Sequence, residues 1–178
     1  MDIKGNSLKK KINDVSQGRH QVGEPLFEVS VGYHLRVSHR LMQRFLLEKI
    51  QPHGITLGMW YFLRALWNED GLTQRELSVR VGTMEPTTLT AINAMERKGL
   101  VRRERNSQDR RRINIYLTDK GLALKDILLP LGQEVTRAAT EGLSSRETET
   151  LLDLLRVLQQ NIRQKIGDVD MTELSDDS

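Results

Sequence analysis

Three consecutive arginines, Arg110, Arg111 and Arg112, follow Asp109 inside a short polar stretch, NSQDRRR. A guanidinium carries a fixed charge and a planar fork of donors, which suits phosphate oxygens and the narrow, electronegative groove of A·T-rich DNA. Upstream, Thr87, Thr90, Ala94 and Arg97 recur at helical spacing, with Pro86 and Asn93 at the margin of the same side. Small hydroxyls and one arginine can reach base edges in a major groove without a bulky clash. Gln74 and Arg75 stand where a helix would open, and the amides of a helix N-terminus favour phosphate. The chemistry expected of this set is hydrogen bonding and charge pairing, not bond making.

These residues need elements that hold them in place. Thr73 and Glu76 have the spacing of a capping box, and Gly82 closes the helix it would start. A second helix follows, with Pro86 tolerated in its first turn and Gly99 as its stop. Its inner side is expected to carry Leu89, Ile92 and Met95, with Thr88 beside them. Two β-branched, alternating runs at Leu100–Arg105 and Ile113–Leu117 then flank the polar tip, the pattern of a hairpin. Helix, turn, helix and arginine-tipped hairpin is the order of a winged helix-turn-helix.

Over about residues 70–121 the chain resembles the MarR family of bacterial transcriptional regulators. LTQRELSVRVG is similar to the first helix of that family's motif. MEPTTLTAINAMERKGLVRRERNSQDRRRINIYLTDKG is similar to its recognition helix, wing and return strand. The Asp109-x-Arg111 pair matches the wing signature. The flanking MWYFLRALW gives the likeness a flavour of regulators of aromatic compound catabolism. The resemblance implies a dimeric DNA-binding repressor or activator, with Arg111 in the minor groove and Asp109 bracing it. Arg110 and Arg112 are better placed for phosphates.

Charge agrees with this reading. The chain of 178 residues has a formal net charge of +3. Between Gly71 and Arg112 stand ten basic residues and five acids, so the positive excess is concentrated on the motif. There is no cysteine, which removes disulfides, thiolate metal sites and cysteine-based oxidant sensing. Histidines 20, 34, 39 and 53 have no metal-ligand spacing, and no phosphate loop, nucleophile elbow or apolar carboxylate pair is present. No cofactor and no enzymatic activity are expected. Nor is a membrane partner, since no apolar run approaches the roughly 20 residues a span needs. Residues 1–21 lack a secretory-type apolar run, so the expected compartment is the cytoplasm.

The remaining chain is expected to frame the motif. Residues 1–25 read as a flexible arm and 168–178, with five acids and no base, as an acidic disordered tail. Residues 26–167 form one domain, mainly α with a small β-hairpin wing: a winged helix-turn-helix core at about 56–118 between dimerisation helices at about 26–51 and 119–167. The helix near Thr56–Asn68 carries both tryptophans and should be central to the packing. Thr118 should cap a helix through about Ala139 that Pro130 kinks or interrupts. Ser144 and Glu147 should cap the last helix, striped by Leu151, Leu155, Leu158, Ile162 and Ile166. Pairing of the terminal helices between two copies would bury that stripe.

Tyr33, His34, Arg36, Arg40, Trp60 and Arg64 combine aromatic rings with cations, a mixture that suits an aromatic carboxylate or its thioester. The expected protein is a homodimer that binds a palindromic operator in double-stranded DNA and releases it to such an effector. Two alternatives stay open: an architectural DNA-binding protein without effector, and an enzyme that uses the winged unit only to dimerise.

Overall fold

The structure is a computed structural model and describes residues 30–166. The expected arm and acidic tail lie outside the described residues. Helix α1 spans Val31–Ile50, and a short 3₁₀ turn, Gln51–His53, ends it. Then come α2 (Leu57–Asn68), β1 (Leu72–Thr73), α3 (Gln74–Val81), α4 (Glu85–Arg97), β2 (Val101–Arg105), β3 (Ile113–Leu117), α5 (Asp119–Ala139) and α6 (Ser145–Ile166). The chain divides into two units, Met1–Gln43 and Arg44–Ser178.

In the first unit, α1 is described from Val31, and the expected start near Leu26 lies outside the described residues. Ser30 caps it, its Oγ accepting from the Tyr33 backbone N–H at 3.3 Å and its carbonyl from that of His34 at 3.1 Å. Such a cap satisfies donors that have no partner inside the helix. Val31, Leu35, Leu41 and Met42 are exposed along it.

The second unit holds the core. Helix α2 supplies Met59, Trp60, Phe62, Leu63 and Leu66, all buried. Ile92 and Met95 of α4, Leu77 of α3, Ile115 and Leu117 of β3 and Leu128 of α5 pack into the same cluster. Gly132 of α5 permits a close approach there, because a Cβ at that position would meet the Trp60 ring at 2.7 Å. Trp67 meets the Trp60 ring edge to face, centroids 6.0 Å apart, and donates its Nε1–H to the Gly121 carbonyl at 3.0 Å. No buried side-chain polar atom among the described residues lacks a partner.

The hairpin is joined by a strand that the alternation does not reveal. The two residues of β1 pair antiparallel with β3, Leu72 opposite Ile115, giving the sheet order β1-β3-β2. Gly71 enters this strand at φ +76°, and a Cβ there would strike the Tyr116 ring. Asp70 fastens the same corner by accepting from the Leu117 N–H at 2.9 Å.

Pro130 does not interrupt α5, which runs unbroken from Asp119 to Ala139. The proline is exposed, as is Asp126 one turn before it, whose carbonyl loses its usual helical donor to the proline ring. Leu89 also departs from expectation: it is 43% exposed, although the spacing placed it with Ile92 and Met95. The buried side of α4 centres on Thr88, Ile92 and Met95, and Leu89 lies about 100° around the helix from Thr88. Ala94, expected outward, is half-buried against the core.

Candidate nucleic-acid interface

Helix α3 is set by its capping box. The Thr73 hydroxyl accepts from the Glu76 backbone N–H at 3.3 Å, and the Glu76 carboxylate accepts from the Thr73 N–H at 2.7 Å. Donation from the Thr73 backbone N–H, and from its hydroxyl at 2.8 Å, holds the Glu76 carboxyl below its ordinary range, partly opposed by burial, with Arg112 and Arg80 adding attraction. Gly82 ends the helix in the left-handed conformation, φ 71°. The turn to α4 is then pinned by the Thr83 and Thr88 hydroxyls, 2.9 Å apart, with Thr88 fully buried. Gln74 reaches across this turn and donates to the Glu85 carbonyl at 3.4 Å, while Arg75 stays exposed.

With Thr88, Ile92 and Met95 turned into the core, Pro86, Thr87, Thr90 and Arg97 are left exposed. The Thr90 hydroxyl donates to the Pro86 carbonyl at 3.0 Å, which leaves its oxygen lone pairs and its methyl outward. Asn93 lies at the margin of this strip, as expected, and is half-buried. An arginine of β2 fixes it: Arg103 Nη2 donates to Asn93 Oδ1 at 2.6 Å, and its Nη1 pairs with Glu96. Arg103 was not among the expected site residues. The signal was present, since it alternates with buried Val101 and so faces the helix side of the hairpin.

The hairpin tip is a braced turn. Asn106 Oδ1 accepts the backbone N–H groups of Gln108 and Asp109, at 2.8 and 3.0 Å. Asp109 Oδ1 accepts the Arg111 backbone N–H at 3.0 Å, and the Asp109 carbonyl accepts that of Arg112 at 3.0 Å. Asp109 thus braces the turn through the backbone rather than through the Arg111 guanidinium. Asn106 was also missed, although an Asn opening a polar turn is a known source of such bonds. The guanidinium groups of Arg110 and Arg111 make no hydrogen bond or ion pair among the described residues, whereas Arg112 lies 3.4 Å from Glu76 of α3. That contact ties wing to capping box and occupies one of the cations expected to meet phosphate.

The residues expected to meet a small ligand are distributed over both units. In the first, the Tyr33 and His34 rings meet edge to face at 5.5 Å, Arg36 lies 5.9 Å from the Tyr33 centroid, and Arg40 is exposed. In the second, Trp60 is only 3% exposed, so its ring is core packing and not a stacking surface. Exposed Arg64 covers it, 5.6 Å from the ring centroid. Among the described residues there is no group of three side chains able to hold a metal ion and no helix long and apolar enough to cross a membrane.

A helix with a free polar strip, seated by a tight turn on a capped helix and flanked by an arginine-tipped hairpin, defines a winged helix-turn-helix, the build of DNA-binding regulators. The sequence model described as MarR family matches residues 55–113. The regulator TtmR of Methylorubrum extorquens is 30% identical over 119 residues, 67% of this chain; the chain spans 60% of that relative's length. A protein of Thauera aromatica named for regulation of the hcr operon is 30% identical over 132 residues, 72% of this chain and 78% of that one. The transcriptional repressor CouR, solved with a 23-mer DNA duplex, superimposes with a TM-score of 0.71 at 25% identity, covering 79% of this chain and 99% of CouR. The chain belongs to the MarR family: it is a DNA-binding transcriptional regulator and not an enzyme.

Proposed function

We propose that the chain is a homodimeric repressor that reads a palindromic operator and releases it on binding a small anionic aromatic ligand. The observation that carries the DNA-reading part is the pairing of two surfaces. One is the outward strip of Pro86, Thr87, Thr90, Asn93 and Arg97 on α4; the other is the tip with Arg110 and Arg111 unengaged. The strip enters the major groove and Arg111 the adjacent minor groove. Gln74, Arg75, Arg110 and Arg112 lie along the phosphates, and Asp109 keeps the tip in shape. The duplex bound to CouR supports this reading for a chain of the same fold.

Dimerisation is supported by exposed apolar side chains on α6, where Leu151, Leu154, Val157 and Ile162 are each more than 40% exposed. Two copies place two recognition helices about one DNA turn apart, as a palindrome requires. The domain that does this is residues 26–167, with the arm and acidic tail outside it, and its place of action is the cytoplasm.

The effector reading rests on cations over rings. Each unit supplies its own set: Tyr33, His34, Arg36 and Arg40 in the first, and Arg64 over Trp60 in the second. A carboxylate would pair with a guanidinium through charge-assisted hydrogen bonds. Trp60 contributes by seating Arg64 rather than by stacking. A thermal-shift screen of aromatic acids and their coenzyme A thioesters, followed by DNA-release titrations on the hits, tests it. A hit that lowers DNA affinity supports the reading, with Arg40→Ala or Arg64→Ala blunting release while leaving ligand-free binding intact. Absence of any such compound returns the protein to an architectural DNA-binding role.

A further inference from the structure

Arg103 does more than join wing to helix: it decides which end of the Asn93 amide faces outward. A guanidinium has donors and no acceptor. The atom it approaches at 2.6 Å must therefore be the Asn93 carbonyl oxygen, and the amide NH₂ must point the other way. The fork is anchored at its second nitrogen by Glu96, one turn further along α4. Arg103 is also only a quarter exposed, which limits the freedom of its guanidinium. A charge-assisted bond of this kind is about twice as strong as a neutral one, so the amide does not flip at little cost.

An asparagine free at both ends reads adenine with two bonds, accepting from the 6-amino group and donating to N7. Here the accepting end sits against a cation. A base amino group brought to the same oxygen would put its positive hydrogen beside that guanidinium. We propose that Asn93 is a donor-only reader of the major groove, held in that state by Arg103 as a positioning residue. Its two N–H groups face acceptor-rich base edges, and guanine, with O6 and N7 side by side, fits them best. The inference rests on the reading of α4 as the groove-facing helix and adds the chemical class of base that one position takes.

The test is selection of bound duplexes from a randomised pool by the full-length protein, run for the parent, Asn93→Ala, Arg103→Met, Arg103→Lys, Thr90→Ala and Arg97→Ala. Parent sites should hold one position per half-site with a guanine preference that Asn93→Ala erases and Arg103→Met relaxes. Arg103→Lys, which keeps a charged donor, should retain it. Replacing that guanine by 7-deazaguanine should weaken the parent about threefold to tenfold, the loss of one hydrogen bond, and leave Asn93→Ala unaffected. Asn93→Asp, which can only accept, should turn the preference toward cytosine. Should Arg103→Met fail to fold, the deaza substitution and Asn93→Asp still decide the matter. A cytosine preference in the parent at the Asn93-dependent position would overturn the proposal, as would an adenine preference that needs the 6-amino group. So would parent-like selectivity in folded Arg103→Met. If Thr90→Ala and Arg97→Ala also leave every preference unchanged, the groove-facing reading of α4 fails with it; if they shift preferences while the Asn93 and Arg103 variants do not, only the donor-only assignment fails.

Discussion

Helix α4, with 13 residues, buries Thr88, Ile92 and Met95 completely, whereas α6, with 22, buries none. Both are amphipathic, yet only α4 finds its apolar partners within the second unit. Its outer strip, exposed at Pro86, Thr87, Thr90 and Arg97, is polar, and two of its side chains, Thr90 and Asn93, are held by hydrogen bonds to their own scaffold. Helix α6 displays leucines, and a row of exposed leucines is an unfinished core. On the proposed reading, a base-reading surface and an assembly surface differ in what they leave open. The first leaves donors, acceptors and charge; the second leaves apolar area.

This contrast can be broken in several ways. Deleting residues 144–178 should have the largest effect. The product should sediment as a monomer or precipitate, and its affinity for a two-half-site duplex should fall by about 10²-fold or more, as when linked binding events become independent. A soluble truncated dimer with parental affinity would place the interface elsewhere. Next, Ile92→Ala should lower stability by about 2–5 kcal/mol, a buried large-to-small change. Leu154→Ala should instead act mainly on assembly, reducing the dependence of Tm on protein concentration. Melting curves over a concentration series separate the two, and identical behaviour would erase the distinction drawn between α4 and α6.

Arg111→Ala should weaken operator binding by about 1–3 kcal/mol at fixed salt, the worth of a specific groove contact. Unchanged affinity would remove the wing tip from the mechanism. The smallest effect belongs to the capping box. Glu76→Gln should cost about 0.3–1.5 kcal/mol of stability. The folded-state Glu76 carboxyl titrates below its unfolded value, so its contribution is present above the unfolded value and is lost as pH falls through the lower folded one. Thermal melts of parent and Glu76→Gln should therefore converge on acidification; a constant gap would mean the carboxylate charge plays no part in the cap.

Much of the winged unit could be read from residue types, because its punctuation is local. Thr73 with Glu76, Gly82, Pro86 and Gly99 act within a few residues of themselves, and the structure finds each in its expected role. Long-range geometry was harder. The two-residue β1 depends on β3, more than 40 residues away, and has no alternation to announce it. Leu89 illustrates the limit of periodicity, since a residue about 100° from the helix centre-line is apolar by type yet exposed by geometry. Trp60 shows the converse: its type suggested a ligand wall, although its helix was expected to be central to the packing, and its burial with Gly132 against the ring makes it core. Arg103 and Asn106 went unnoticed because their work is done on neighbours' polar groups, which composition does not show.

On the proposed reading, the outward strip of α4 reads bases rather than merely staying solvated. The decisive measurement compares the sequences selected from a randomised duplex pool by the full-length parent with those selected by Thr90→Ala and Arg97→Ala. Each variant should lose preference at its own defined position in both half-sites while keeping the half-site spacing. Selection of the same sequences, with the same preferences, by parent and both variants would contradict it.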